Sequence, residues 1–183
     1  MTDPGGSACP LTPQTVTAIH ARGDTAVFDA ARIYRYQLSR AWIGGYWAAA
    51  FIMLNPSRAD ERRHVPTIRR CIRFAQRGGC EGLEVVNLFA YRASNPTELW
   101  NRPDLVGPEN DGHILEVANR CQYVVAAWGT NGVHQKRDQE VIKLLKSVRG
   151  INVLCLGQTK EGHPRHPLYV PYKQRLEPFA PCT

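Results

Sequence analysis

Apolar residues fall along this chain in short runs, and their spacing separates strands from helices. Residues 34-YRYQLSRAW-42 alternate: Tyr34, Tyr36 and Leu38 share one side, and Arg35, Gln37 and Ser39 share the other, which is the period of a strand. Gly44-Gly45 reads as a turn, and 46-YWAAAFIML-54 runs back from it as a buried strand. The two predict an antiparallel hairpin feeding the centre of a sheet. Three further runs, 83-LEVVNL-88, 122-QYVVAAW-128 and 151-INVLCL-156, are short and mostly apolar on both faces, as suits strands buried on both sides.

Helical spacing separates these runs. In 67-TIRRCIRFAQRGG-79, Ile68, Cys71, Ile72 and Ala75 fall on one face, and Gly78-Gly79 ends the pattern. Between Gln135 and Arg149, Val141, Leu144, Leu145 and Val148 repeat at helical intervals, with Gly150 as the stop. A weaker helix is expected around 109-ENDGHILEVANRC-121. Strands alternating with helices imply crossover connections and a mainly parallel sheet. The expectation is therefore a single three-layer α/β domain over residues 26–183. It would have a central, mainly parallel four-stranded sheet and an N-terminal antiparallel hairpin strand. Residues 1–25, rich in Pro, Gly, Thr and Ser, are expected to be loosely ordered.

Each of the four apolar strands runs into a polar, Gly- or Pro-punctuated segment: LNPSRAD, NLFAYRAS, WGTNG and GQTKEGHPRHPLY. In a parallel sheet these ends lie along one rim, where open α/β sheets bind ligands. Asn55, Asn87, Trp128 and the 157–169 loop should converge there. Asn55 either caps the helix that follows or orients a water or a substrate group. Asn87 either bonds to neighbouring backbone or reads the edge of a planar ring. Lys160, His163, Arg165, His166 and Tyr169 crowd one stiff loop, suited to gripping an anion or to a charge developing on a leaving group. Trp128 and the Tyr91-Arg92 pair either pack or stack on bases.

Composition narrows the partner. The 183 residues carry a formal charge of +7, from 18 arginines against 5 lysines, and arginine's planar fork suits phosphate and stacking. Seven arginines lie between positions 58 and 77, offset there only by Asp60 and Glu61. Arg69, Arg73 and Arg77 share a helix face, and with Arg58 they form a stripe suited to a nucleic-acid backbone. The expected partner is nucleic acid, DNA in preference, or a nucleotide. No apolar run nears the ~20 residues of a membrane span, and the first residues lack the pattern of a secretory signal, so the expected location is cytoplasmic. The six cysteines form no C-x-x-C pairs and read as reduced, largely buried thiols. Neither a cofactor nor a metal site is expected.

The motifs RYQLSRAW, MLNPSRAD, PTIRRCIRFA, VVNLFAYRASNP, GPEND, AAWGTNG and GQTKEGHPRHPLYV resemble, over roughly residues 34–170, the bacterial and phage family known as domain of unknown function 1643. Within that resemblance Val65 stands where an acidic residue is usual. The order LNPS, VVNLF, AAWG, RHPLY is also similar to that of uracil-DNA glycosylases. Those enzymes carry an Asp-Pro or Asn-Pro strand end, a base-reading Asn, a strand ending in Trp-Gly and a His-Pro-Ser loop. The resemblance implies a glycosylase-like fold and N-glycosidic hydrolysis on a flipped base. Asn55 would position a water, with Asp60 as the substitute for an acid missing from the first motif. Asn87 would read a base edge, and His166 would stabilise the departing base. Ser57, Phe89, Tyr91, Arg92, Trp128, Lys160, Arg165 and Tyr169 would complete the substrate contacts. Leu54, Arg58 and the Leu of HPLY depart from the glycosylase pattern, and the last removes its serine. The rival readings are a nucleic-acid or nucleotide binder without chemistry, and an enzyme acting on free nucleotides.

Overall fold

The computed structural model describes residues 15–19, 24–42, 47–57, 65–95, 98–100 and 102–181. Among them eight strands form one sheet: β1 (Thr15–Ile19), β2 (Thr25–Asp29), β3 (Arg35–Ala41), β4 (Ala48–Met53), β5 (Gly82–Asn87), β6 (Tyr123–Ala126), β7 (Val153–Cys155) and β8 (Glu177–Pro178). Their order across the sheet is β1-β2-β3-β5-β4-β6-β7-β8. Three helices, α1 (Pro66–Arg77), α2 (Asn110–Arg120) and α3 (Arg137–Leu145), connect the central strands.

The four expected apolar strands are β4, β5, β6 and β7, and they run parallel in the middle of the sheet. The sheet is wider than expected because β1, β2 and β8 add antiparallel strands at its edges. These three are short, and their signal is weak beside the Pro- and Gly-rich sequence around them. Thr15–Ile19, within the segment expected to be loosely ordered, is β1. β8 is two residues long and contains Pro178, which fits an edge strand that needs no donor on its outer side.

The expected hairpin is not formed. β3 and β4 do not pair; β5 lies between them, antiparallel to β3 and parallel to β4. Gly82 has Ala41 as partner on one side and Ala48 on the other. The connection therefore spans two strand spacings, roughly 10 Å, a reach that six residues make easily. Gly44-Gly45, read as the hairpin turn, lies outside the described residues. The physical reason is burial: β4 and β5 are both apolar on two faces, and each takes a neighbour on both edges. Pairing β4 with β3 would have left β5 at a margin.

Two cores result. α1 covers one face of the sheet through Ile68, Cys71, Phe74 and Ala75, packed on Phe51, Val85 and Val125. α2 and α3 cover the other, where Ile114, Val117, Val141 and Leu145 meet Ile52, Val86 and Val124. The described cysteines, 71, 80, 121 and 155, are free thiols. Among the described residues no helix is long and apolar enough to cross a membrane.

One irregularity moves a side chain that matters. Between β2 and β3 the pairing jumps from Val27–Gln37 to Phe28–Arg35, leaving Tyr36 as an extra residue. Such a bulge changes the side to which the residues before it point. Tyr36 stacks on His113 of α2 with ring centres 4.7 Å apart, and the Gln37 amide nitrogen lies 2.7 Å from His113 Nδ1. Arg35 turns inward with Leu38 towards the α1 side, so the expected split of β3 into an aromatic and a polar face is broken here.

Candidate functional site

A cavity of about 430 Å³ opens at the C-terminal ends of the parallel strands. Every central strand contributes to it: Asn55 and Ser57 follow β4, Asn87 ends β5, and Trp128 to Asn131 follow β6. Thr159, Pro164, Arg165, His166 and Tyr169 follow β7. Arg35 of β3 and the start of α1, through Val65, Thr67 and Ile68, complete the wall. Two arginines stand among these residues and, of those described, no aspartate or glutamate.

Asn87 is 1% exposed, and neither its Oδ1 nor its Nδ2 has a hydrogen-bond partner among the described residues. A buried amide left in this state costs about 1–3 kcal/mol. Its backbone, by contrast, is firmly held. Asn110, at the first position of α2, donates from Nδ2 to the carbonyls of both Asn87 and Leu88, each at 3.0 Å. Arg137, at the start of α3, donates from Nε to the Leu88 carbonyl at 2.9 Å, and its outer nitrogens bind Asp111 and Glu140. Asn110 and Arg137 are themselves 0% and 3% exposed. The rigid end of β5 thus presents an idle amide to the cavity.

Asn55 does not cap the helix that follows. Its Nδ2 donates to the carbonyls of Pro56 at 3.2 Å and Ala93 at 2.9 Å, and the Ala93 N–H donates to Pro56 at 3.0 Å. These bonds tie the loop after β4 to the loop after β5. They leave Oδ1 as the end of the amide available to a ligand.

His166 caps the short 3-10 turn Pro167–Tyr169, its Nδ1 accepting from the Leu168 N–H at 3.3 Å. The ring proton is therefore on Nε2. Burial pushes the pKa of His166 down to about 4, because desolvation disfavours the charged form. The imidazole is neutral at physiological pH and offers one N–H donor. Arg70 of α1 holds this turn in place by donating to the carbonyls of Pro167, at 2.6 Å, and Val170.

A family model described as "Protein of unknown function (DUF1643)" matches residues 35–168. The chain belongs to that family. The matched span takes in every residue of the cavity wall except Tyr169, and it leaves out β1, β2 and β8. No curated protein and no solved structure matches the chain significantly. The likeness to uracil-DNA glycosylases accordingly rests on the residues themselves.

The other residues singled out by sequence separate into two groups. Ser57, Trp128, Arg165 and Tyr169 line the cavity with Asn55, Asn87 and His166. Trp128 is 2% exposed, and its indole N–H has no partner among the described residues. Tyr169 is 81% exposed at the mouth, its ring 5.6 Å from that of His166. Phe89, Tyr91, Arg92 and Lys160 do not line it. Phe89 is a core residue between Trp100 and His134, and Tyr91 packs edge-on against Tyr34. Arg92 donates to the Arg32 carbonyl, and Lys160 is exposed on the loop. Arg69, Arg73 and Arg77 are exposed along α1, with Arg73 4.9 Å above the Tyr172 ring. Arg58 and Asp60 lie outside the described residues. Among those described, no group of three His, Cys, Asp or Glu side chains is placed to hold a metal ion.

Sequence reasoning missed Arg35, Thr67, Thr130, Asn131 and Thr159 as wall residues. Thr130 and Asn131 belong to the flagged WGTNG segment, and Thr159 to the flagged 157–169 loop, so position carried a signal for these three. For Arg35 the alternation pointed the wrong way.

Proposed function

We propose that the cavity receives a single nucleobase taken out of its stack, and that the chain is a glycosylase-like protein hydrolysing the bond between base and sugar. The observation that carries this reading is the idle, buried amide of Asn87 at the end of a central parallel strand. An amide offers one donor and one acceptor in a plane, the complement of a base edge. The order of the four strand-end motifs supports a uracil-DNA-glycosylase-like arrangement, since all four border one cavity.

The chemistry follows from the neutral His166. Its Nε2–H donates to a carbonyl oxygen of the base as negative charge builds there. Water adds to the anomeric carbon while the N-glycosidic bond breaks, its electron pair leaves on the base, and the base takes the proton that water gives up. Asn55 Oδ1 accepts a hydrogen bond from that water and orients it. Extrusion of the base costs a few kcal/mol, offset by the contacts of Asn87 and by the arginines along α1 on the backbone.

The test is incubation of the protein with single- and double-stranded oligonucleotides carrying uracil, damaged bases and modified pyrimidines, with released base read by mass spectrometry. Release that is lost in Asn55→Ala and in His166→Ala is the expected result. One observation favours a second reading. The absence of a carboxylate among the described wall residues suits a nucleobase-binding protein without chemistry. That protein would bind the same oligonucleotides with steep salt dependence, release nothing, and be indifferent to His166→Ala.

A further inference from the structure

The first turn of α1 forms one side of the cavity through Val65, Thr67 and Ile68. The start of a helix carries N–H groups without intrahelical partners and a partial positive charge. Pro66, at the first helical position, has no N–H to offer, and the Arg69 N–H already bonds to the Val65 carbonyl at 3.1 Å. Thr67 and Ile68 supply the two remaining donors. Val65 contributes no side-chain cap, and the first turn holds no acidic residue. Arg35 and Arg165 add guanidinium groups to the same wall.

An independent observation points to a ligand at this wall. Asn87 lies on the sheet face that α1 covers, together with Val85, and its buried amide is unsatisfied at both ends among the described residues. The amide asks for a polar ring edge, and the helix start asks for an anion. A nucleotide carries both.

We infer that the start of α1 is a phosphate subsite, and that the cavity takes a nucleobase together with a phosphate of the same nucleotide. The base half of this assignment rests on the reading above; the phosphate half stands on α1. The phosphate accepts from the Thr67 and Ile68 N–H groups and the Thr67 hydroxyl, and the base reaches Asn87.

Calorimetry on the full chain tests the assignment, using deoxynucleosides, their 5′-monophosphates and inorganic phosphate. The informative variant is Val65→Asp, which puts a carboxylate at the helix cap, where it takes the two N–H groups for itself. A monophosphate should bind about ten-fold more tightly than its nucleoside, the scale of a charge at a helix start, and inorganic phosphate should compete for it. Val65→Asp should remove that advantage. Because Val65 also packs against the α1-side core, folding is read from the melting curve, and Val65→Ala, which loses the same packing without adding a carboxylate, should keep the advantage. Equal binding of nucleoside and monophosphate, or an advantage that survives Val65→Asp, overturns the subsite and leaves base recognition at Asn87 standing. Phosphate binding that is abolished by Val65→Asp but indifferent to the base keeps the subsite and sinks the base reading. An oligonucleotide arm separates the sources of the phosphate. Tighter binding of the strand than of the monophosphate, lost on methylphosphonate substitution, assigns the subsite to a phosphodiester. The reverse order assigns it to a free nucleotide.

Discussion

Asn110 holds the main chain of Asn87 at the point where β5 stops being a strand. One amide nitrogen, from the start of α2, satisfies two successive carbonyls at 3.0 Å each, and so fixes the direction in which the Asn87 side chain leaves the sheet. Asn110→Ala strips both carbonyls of this donor inside the core. Unmaking two buried hydrogen bonds should cost about 2–4 kcal/mol, seen as an earlier urea midpoint at unchanged slope.

Asn87→Leu should do the opposite. The substitution is close in volume and deletes a buried amide that no group among the described residues satisfies, so the melting temperature should rise or hold. A gain of about 1–3 kcal/mol is expected from removing the unsatisfied group. Binding of nucleobase ligands should be lost in the same protein. A destabilised Asn87→Leu would show that the amide has a structural role.

His166 sets a pH dependence of stability. Its folded pKa is about 4, below the ordinary value near 6.5, so between these values the unfolded chain binds a proton that the folded chain refuses. Stability contributed by this group is whole above pH 6.5 and falls as the pH drops towards 4, by about 3 kcal/mol across the window. His113 is also held below its ordinary pKa, chiefly by burial, so the contribution of His166 is a difference measurement. His166→Asn keeps an acceptor for the Leu168 N–H but cannot titrate. Urea unfolding from pH 7.5 to 4.5 should show a shallower pH slope in the variant. Parallel slopes would refute the assignment.

Gly132 is tested by its smallest enlargement. A Cβ at this position would run into Cδ1 of Trp128 and crowd its Nε1. Gly132→Ala should therefore displace the indole from the cavity wall, with a destabilisation of about 1–3 kcal/mol typical of overpacking. A shift in tryptophan fluorescence should accompany it.

The parallel centre of the fold was legible because β4 to β7 are mostly apolar on both faces and helical spacing intervenes between each and the next. The rim followed from the same reasoning, and it brought Asn55, Asn87, Trp128 and His166 to one cavity. Strand order was not legible. Nothing local in β3 or β4 shows that β5 will come between them, since pairing between residues as far apart in the chain as Leu38 and Val85 is decided by burial of the whole sheet. Arg35 escaped for a different reason. A period of two has no way to register one extra residue, and the bulge at Tyr36 turns Arg35 to the other face. Phe89 shows the same weakness at a strand end: two residues beyond Asn87, with the regular pleat over, it points into the opposite core.

The insertion of β5 between β3 and β4 also governs the order in which the chain can assemble during synthesis. β4 leaves the ribosome before either of its neighbours exists, so 48-AAAFIM-53 must wait with both edges bare until residues 82–87 and then 123–126 arrive. Unpaired apolar strands are templates for association between chains. The nascent N-terminal half is therefore the stretch most in need of protection by a chaperone, and a chain cut short before Cys80 carries that hazard permanently.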